Sequence, residues 1–201
     1  MKTFSFLTLG LLSLSFSAFA GSASVDLGSS AARTPYDSYM QPVKQVLGSL
    51  DGTAPTMDRV QALMRQGRGF FYSYTTPYVA QTPEVTAQTH AGDCKAKALW
   101  LCNQLGDSNV RFVVGKAHYG AKLSHAWVLW REASSGRWFV LDCTNNSRPV
   151  AADSLHQDEY IPLYSWSKNG TYRHAATQIG MAAVAGKRTA PGVATGDLAA
   201  R

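Results

Sequence analysis

The stretch from Gly92 to Thr144 constrains the fold of this 201-residue chain more than any other part. Its periodicity changes once, from helical to alternating. Ala98, Leu101, Cys102 and Leu105 form an apolar stripe at helical spacing. Asp93 stands where an N-cap belongs, and Gly106 where the helix must stop. Three strand-like runs follow: Val110 to Val114, Ser124 to Trp130, and Trp138 to Cys143. The turn-rich Ala133-Ser134-Ser135-Gly136 joins the last two, which read as a hairpin.

Elements outside this stretch frame it. Gln41 to Leu50 and Met57 to Gln66 carry apolar residues at helical spacing, and Gly67 and Gly69 are expected to end the second helix. Thr75 to Pro83 holds two prolines and reads as an extended connector. Tyr160 to Trp166 reads as a further strand. The length suits one domain, placed at residues 36–174. Residues 175–201 are Ala-, Gly- and Thr-rich and are expected to form a disordered tail.

The first twenty residues have a different character. Lys2, the apolar run from Phe4 to Phe16 and the small-x-small Ala18-Phe19-Ala20 compose a signal peptide cleaved after Ala20. A membrane span needs about 20 apolar residues, more than this run supplies. Residues 21–35 are rich in Gly, Ser and Ala and read as a flexible leader. The expectation is an exported protein, periplasmic or secreted and without a membrane span.

Charge says less. The formal net charge of +6 is scattered, with no basic run. Arg65, Arg68 and the aromatics Phe70 to Tyr72 interleave as a helix end entering an apolar stretch, so no nucleic-acid partner is expected. The basic balance suits an anionic cell envelope. A monomer is expected.

Three residues carry the chemistry: Cys94, His125 and Asp142. A thiol in the first turn of a helix lies at the positive end of its dipole, which favours the thiolate. Lys95 and Lys97 add positive charge. Alternation places His125, Trp127 and Leu129 on one strand face, and Trp138, Val140 and Asp142 on one face of the next. A hairpin then sets His125 beside Asp142, so that the imidazole takes the thiol proton and the carboxylate fixes its tautomer. With the Cys94 helix expected on the Asp142 side, Cys143 points away from it. Cys102 and Cys143 would lie on opposite sides of the sheet, and no disulfide is expected. His90, Cys94, His118 and His125 lack the tight spacing of a zinc site, so no metal is expected. Tyr72, Tyr74, Tyr119 and Trp127 are candidates to line a peptide groove.

Gly92-Asp93-Cys94, His125-Ala126-Trp127 and the run from Trp138 to Thr144 together resemble the motifs of the transglutaminase-like superfamily, a branch of the papain-like cysteine enzymes. The resemblance implies an α+β fold with the Cys94 helix packed on an antiparallel sheet or open barrel. It also implies Cys94 as nucleophile, His125 as general base and acid, and Asp142 as orienting carboxylate. Gln88 holds the spacing of the papain-like oxyanion glutamine. Thr82-Pro83-Glu84 resembles an element preceding the nucleophile in bacterial transglutaminase-like cysteine proteinases. Lys95-Ala96-Lys97 replaces the acidic residues usual after that nucleophile, and no cofactor is expected. The implied activity is an exported thiol hydrolase, a cysteine peptidase or amidase acting on a peptide or protein through a thioester. The alternatives are a protein-glutamine acyltransferase and a non-catalytic peptide- or envelope-binding module of the same fold.

Overall fold

A computed structural model describes residues 25–76 and 78–177. Helix α1 (Gln41–Ser49), α2 (Met57–Arg68), α3 (Pro83–Thr89) and α4 (Cys94–Leu105) precede most of the sheet in the chain. The strands are β1 (Ser29–Ser30), β2 (Val110–His118), β3 (His125–Arg131), β4 (Trp138–Leu141), β5 (Val150–Ala151), β6 (Glu159–Ser167) and β7 (Gly170–Arg173). They form one sheet in the order β1-β7-β6-β2-β3-β4-β5, with every pairing antiparallel. The first and last strands are separate edges, so the α+β architecture is built on an open sheet, not a barrel.

Helix α4 is the centre of the core. The Asp93 carboxylate accepts hydrogen bonds from the backbone N–H groups of Lys95 (3.0 Å) and Ala96 (3.1 Å). Gly106 ends the helix at φ +67°. The helix is buried along nearly its whole length, wider than the stripe read from sequence. It packs against the face carrying Ala126, Val128, Trp130, Leu141 and Cys143. This corrects the expected side. His125, Trp127 and Asp142 belong to the other face, where Val113, Trp127, Leu129 and Val140 make a smaller cluster. Cys143 and Cys102 therefore share one side of the sheet, and Cys143 Sγ lies 3.8 Å from the Lys97 carbonyl oxygen on α4. All three cysteines are free thiols. Burial pushes the Cys143 thiol up to about 12 and raises Cys102 as well.

Other differences are local. Thr82 caps α3 and Pro83 occupies its first turn, so the expected connector ends in a helix. Helix α2 runs through Gly67, where a Cβ would stand 2.8 Å from Cys143 Sγ and from Trp100. That glycine serves close approach, not termination. The flexible leader expected over 21–35 is corrected from residue 25 onward: β1 pairs with β7, and the Asp26 carboxylate accepts from Ala175 N–H at 2.9 Å. The signal peptide and the tail beyond Thr177 lie outside the described residues. Among those residues no helix is long and apolar enough to cross a membrane.

One glycine fixes the start of β3. Gly115 pairs with His125 at a register shift between β2 and β6. A Cβ there would clash with the Ile161 carbonyl oxygen and stand 2.6 Å from Trp127. Backbone cannot yield as a flexible side chain does. Gly115→Ala should therefore cost about 3 kcal/mol, read by urea unfolding.

Candidate active site

The site forms at the rim of the sheet, where the first residues of α4 and β3 meet the end of β4. Cys94 opens α4, and its side chain is nearly buried. His125 is the first residue of β3. Asp142 follows the last residue of β4 and starts a turn, accepting from Asn145 and Asn146 N–H at its backbone carbonyl. The ladder pairs Val128 with Leu141, which sets Asp142 across from Trp127 and diagonal to His125 on one face. His125 Nε2–H donates across that diagonal to Asp142 Oδ2 at 2.8 Å.

The carboxylate is held by donors on both oxygens. Oδ1 accepts from the backbone N–H groups of Thr144 (3.0 Å) and Asn145 (3.4 Å). Oδ2 also accepts from Asn145 Nδ2 (2.8 Å) and the Tyr160 hydroxyl (2.9 Å). Asp142 is 1% exposed. Burial pushes its pKa up, but His125 and these donors outweigh it and hold the carboxyl below its ordinary range. For His125, burial likewise opposes the charged form. The hydrogen bonds to Asp142 and Cys94 prevail and raise the imidazole to about 9. With Nε2 committed to Asp142, Nδ1 is the nitrogen that serves Cys94.

That shift has a consequence for folding. An imidazole raised from about 6.5 to about 9 adds stability in full below pH 6.5, and loses it progressively as pH rises to 9. Denaturant unfolding at pH 6 and 9.5 should show this loss in the wild type. In His125→Gln the difference should shrink to that of the remaining groups.

Tyr160 is a part of the site that sequence reasoning missed. Its backbone sits at φ +46°, a strained conformation for a bulky side chain. Its ring meets Trp127 edge-on at 5.4 Å, and Trp127 in turn stacks under His125 at 6.1 Å and 24°. The hydroxyl accepts from Asn146 Nδ2 while donating to Asp142. Burial and the Asp142 charge push this phenol up, keeping it a donor.

A cavity of about 260 Å³ opens beside Cys94, with Tyr36, Tyr72, Tyr74, Tyr78, Met40 and Leu123 in its wall. Lys95 also lines it, but its ammonium is paired with Asp93 and lies over the rings of Tyr78 (4.7 Å) and Tyr74 (5.5 Å). Lys97, expected to add charge at the thiol, is instead buried with its ammonium donating to the Phe70 carbonyl (2.7 Å). That bond ties the Tyr72 loop to α4. Burial, then Cys94 and Asp93, push the Tyr72 phenol up to about 12.

Tyr72 and Tyr74 thus stand where a groove was expected, and the other candidates do not. Gln88 lies exposed on α3 and is not in the cavity wall. Trp127 is buried beneath His125, and Tyr119 projects into solvent beyond β2. His90 caps α3 against Phe70, and His118 Nδ1 is 2.9 Å from the Tyr119 carbonyl oxygen. Among the described residues no three His, Cys, Asp or Glu side chains are grouped to hold a metal ion.

No family model and no curated protein matches this chain. Solved structures do. Calcium-bound Legionella pneumophila LapG is 17% identical with a TM-score of 0.48, over 64% of this chain and 74% of that one. A second Legionella pneumophila LapG structure gives 15% and 0.47, over 72% and 83%. A Cytophaga hutchinsonii protein proposed to be a cysteine protease gives 17% and 0.37, over 68% and 59%.

Proposed function

We propose that this protein is an exported thiol hydrolase that cleaves an amide bond in a peptide or protein, with Cys94 as nucleophile, His125 as base and acid, and Asp142 as orienting carboxylate. The observation that carries this reading is the His125 imidazole, held through Nε2 by a buried carboxylate and neighbouring Cys94 at a helix N-terminus. The motif resemblance of Gly92–Cys94, His125–Trp127 and Trp138–Thr144 points the same way.

These roles assign each step to a residue. His125 takes the Cys94 proton, and the imidazolium so formed is stabilised by Asp142. The sulfur attacks the amide carbonyl carbon. Oxyanion stabilisation falls to the Cys94 backbone N–H, since the Asp93 cap takes those of Lys95 and Ala96 and Gln88 is elsewhere. The C–N bond breaks as His125 returns its proton to the leaving nitrogen, leaving a thioester. Water, deprotonated by His125, then releases the acid and restores the thiol. An amine in that last step would make the protein an acyltransferase. Exposed Tyr72 and Tyr74 leave the cavity open to water, which favours hydrolysis. The same residues 1–20 that predict a signal peptide support export.

The test is intact mass after iodoacetamide treatment of the folded protein across pH 5 to 9. Rapid single labelling below pH 7, absent in Cys94→Ala and slowed in His125→Ala, is expected. Labelling only above about pH 8.5, indifferent to His125, would move the reading to a non-catalytic binding module.

A further inference from the structure

Large apolar side chains are exposed around the mouth of the Cys94 cavity. Leu123 is 83% exposed, Tyr74 63%, Tyr72 56% and Tyr78 37%, and all four are in its wall. Folded proteins seldom leave such side chains together in water without a binding role. They come from separate places: Tyr72 to Tyr78 from the segment before α3, Leu123 from the turn before β3.

The wall has little to offer a charged group. Lys95 and His125 are the cationic side chains lining it, and each is already paired, the ammonium with Asp93 and the imidazole with Asp142. The Asp93 carboxylate is buried and is also engaged by Thr75. Its remaining polar groups are phenols, together with Ser124 and the two reacting residues. A carboxylate or ammonium entering here would lose its water without gaining a free counter-charge. A side chain of leucine or phenylalanine would exchange water for aromatic faces.

From this we infer that the cavity is a subsite for one bulky apolar side chain, aromatic or branched aliphatic, on the acyl side of the bond Cys94 attacks. The inference rests on the thiol-hydrolase reading and adds its substrate class. The occupant is a residue of the peptide substrate, because the cavity is continuous with the nucleophile and Cys94 and His125 form part of its wall.

The test uses thiol-directed chloromethyl ketones of two series, acetyl-X-Gly and acetyl-Gly-X, with X as Phe, Leu, Gly, Asp or Lys. Second-order rates of Cys94 alkylation are read by intact mass, beside iodoacetamide as a probe with no side chain. In one series Phe or Leu should react at least ten-fold faster than Gly, Asp or Lys. Leu123→Ser and Tyr74→Ala, both at exposed positions, should reduce the Phe-to-Gly ratio, with folding checked by circular dichroism.

Equal rates across X, with rapid iodoacetamide labelling, would overturn the subsite and leave the nucleophile standing. Preference for Asp or Lys would overturn the apolar assignment. A Phe-to-Gly ratio untouched in both folded variants would also overturn it. Slow reaction with every reagent would overturn the nucleophile and the subsite together.

Discussion

Replacing Cys94 by serine is expected to lower turnover of any peptide amide the protein hydrolyses by about 10⁴-fold or more, while the melting temperature moves only slightly. Serine keeps the polarity and nearly the volume of cysteine at the start of α4. Asp93 caps the helix through its own carboxylate, so the cap survives the exchange. What changes is acidity. A hydroxyl does not ionise beside an imidazole raised to about 9, so the proton stays on oxygen and the nucleophile is lost. Cys94→Ala should be equally inactive but removes packing as well, which makes serine the cleaner comparison. The checks are steady-state turnover and the stoichiometric burst of leaving group expected from a thioester intermediate. An active serine variant would show that the sulfur is not the attacking atom.

The sequence read best where one residue type does one local job. Asp93 and Gly106 bounded α4 because an N-cap carboxylate and a positive-φ glycine have few substitutes at helix ends. Alternation correctly put His125 and Asp142 on one face. It left open which face the helix would cover, and the expectation chose wrongly. Ala126, Val128, Trp130, Leu141 and Cys143 together make the larger apolar surface, and α4 covers that. Cys94 and His125 still meet at the rim, because Cys94 starts its helix and His125 starts its strand. Short elements left almost no trace: β1 and β5 have two residues each, too few for a period. Gln88 failed because spacing along a chain does not locate a side chain once an unanticipated helix, α3, intervenes. Tyr160 carries no sequence mark at all. Nothing about tyrosine suggests positive φ, and its partner lies eighteen positions earlier in the chain.

Asp142→Asn is the second substitution with a large expected effect, because every group around this carboxylate is a donor. Thr144 N–H and Asn145 N–H meet Oδ1, while His125, Tyr160 and Asn145 Nδ2 meet Oδ2. An asparagine must turn its NH₂ toward one of these sets, and donors then face donors around a side chain that is itself buried from water. The cost should be about 2 to 4 kcal/mol, visible in urea unfolding. Activity should fall about 10³- to 10⁴-fold, because the imidazole loses the acceptor that fixes its tautomer and stabilises its charge. The pH dependence separates this role from simple loss of packing. Burial disfavours the charged imidazole, and without the carboxylate only Cys94 still opposes it, so the His125 pKa should fall and Cys94 alkylation below pH 7 should slow. Tyr160→Phe supplies the last comparison. It removes one donor from Oδ2 and keeps the ring against Trp127. In the wild-type background that loss should weaken stability by about 1 kcal/mol. Combined with Asp142→Asn it should cost less than the sum, since one donor–donor opposition is gone. Strict additivity of the two would mean that the Tyr160 hydroxyl does not act on Asp142, and that its strained backbone serves something else.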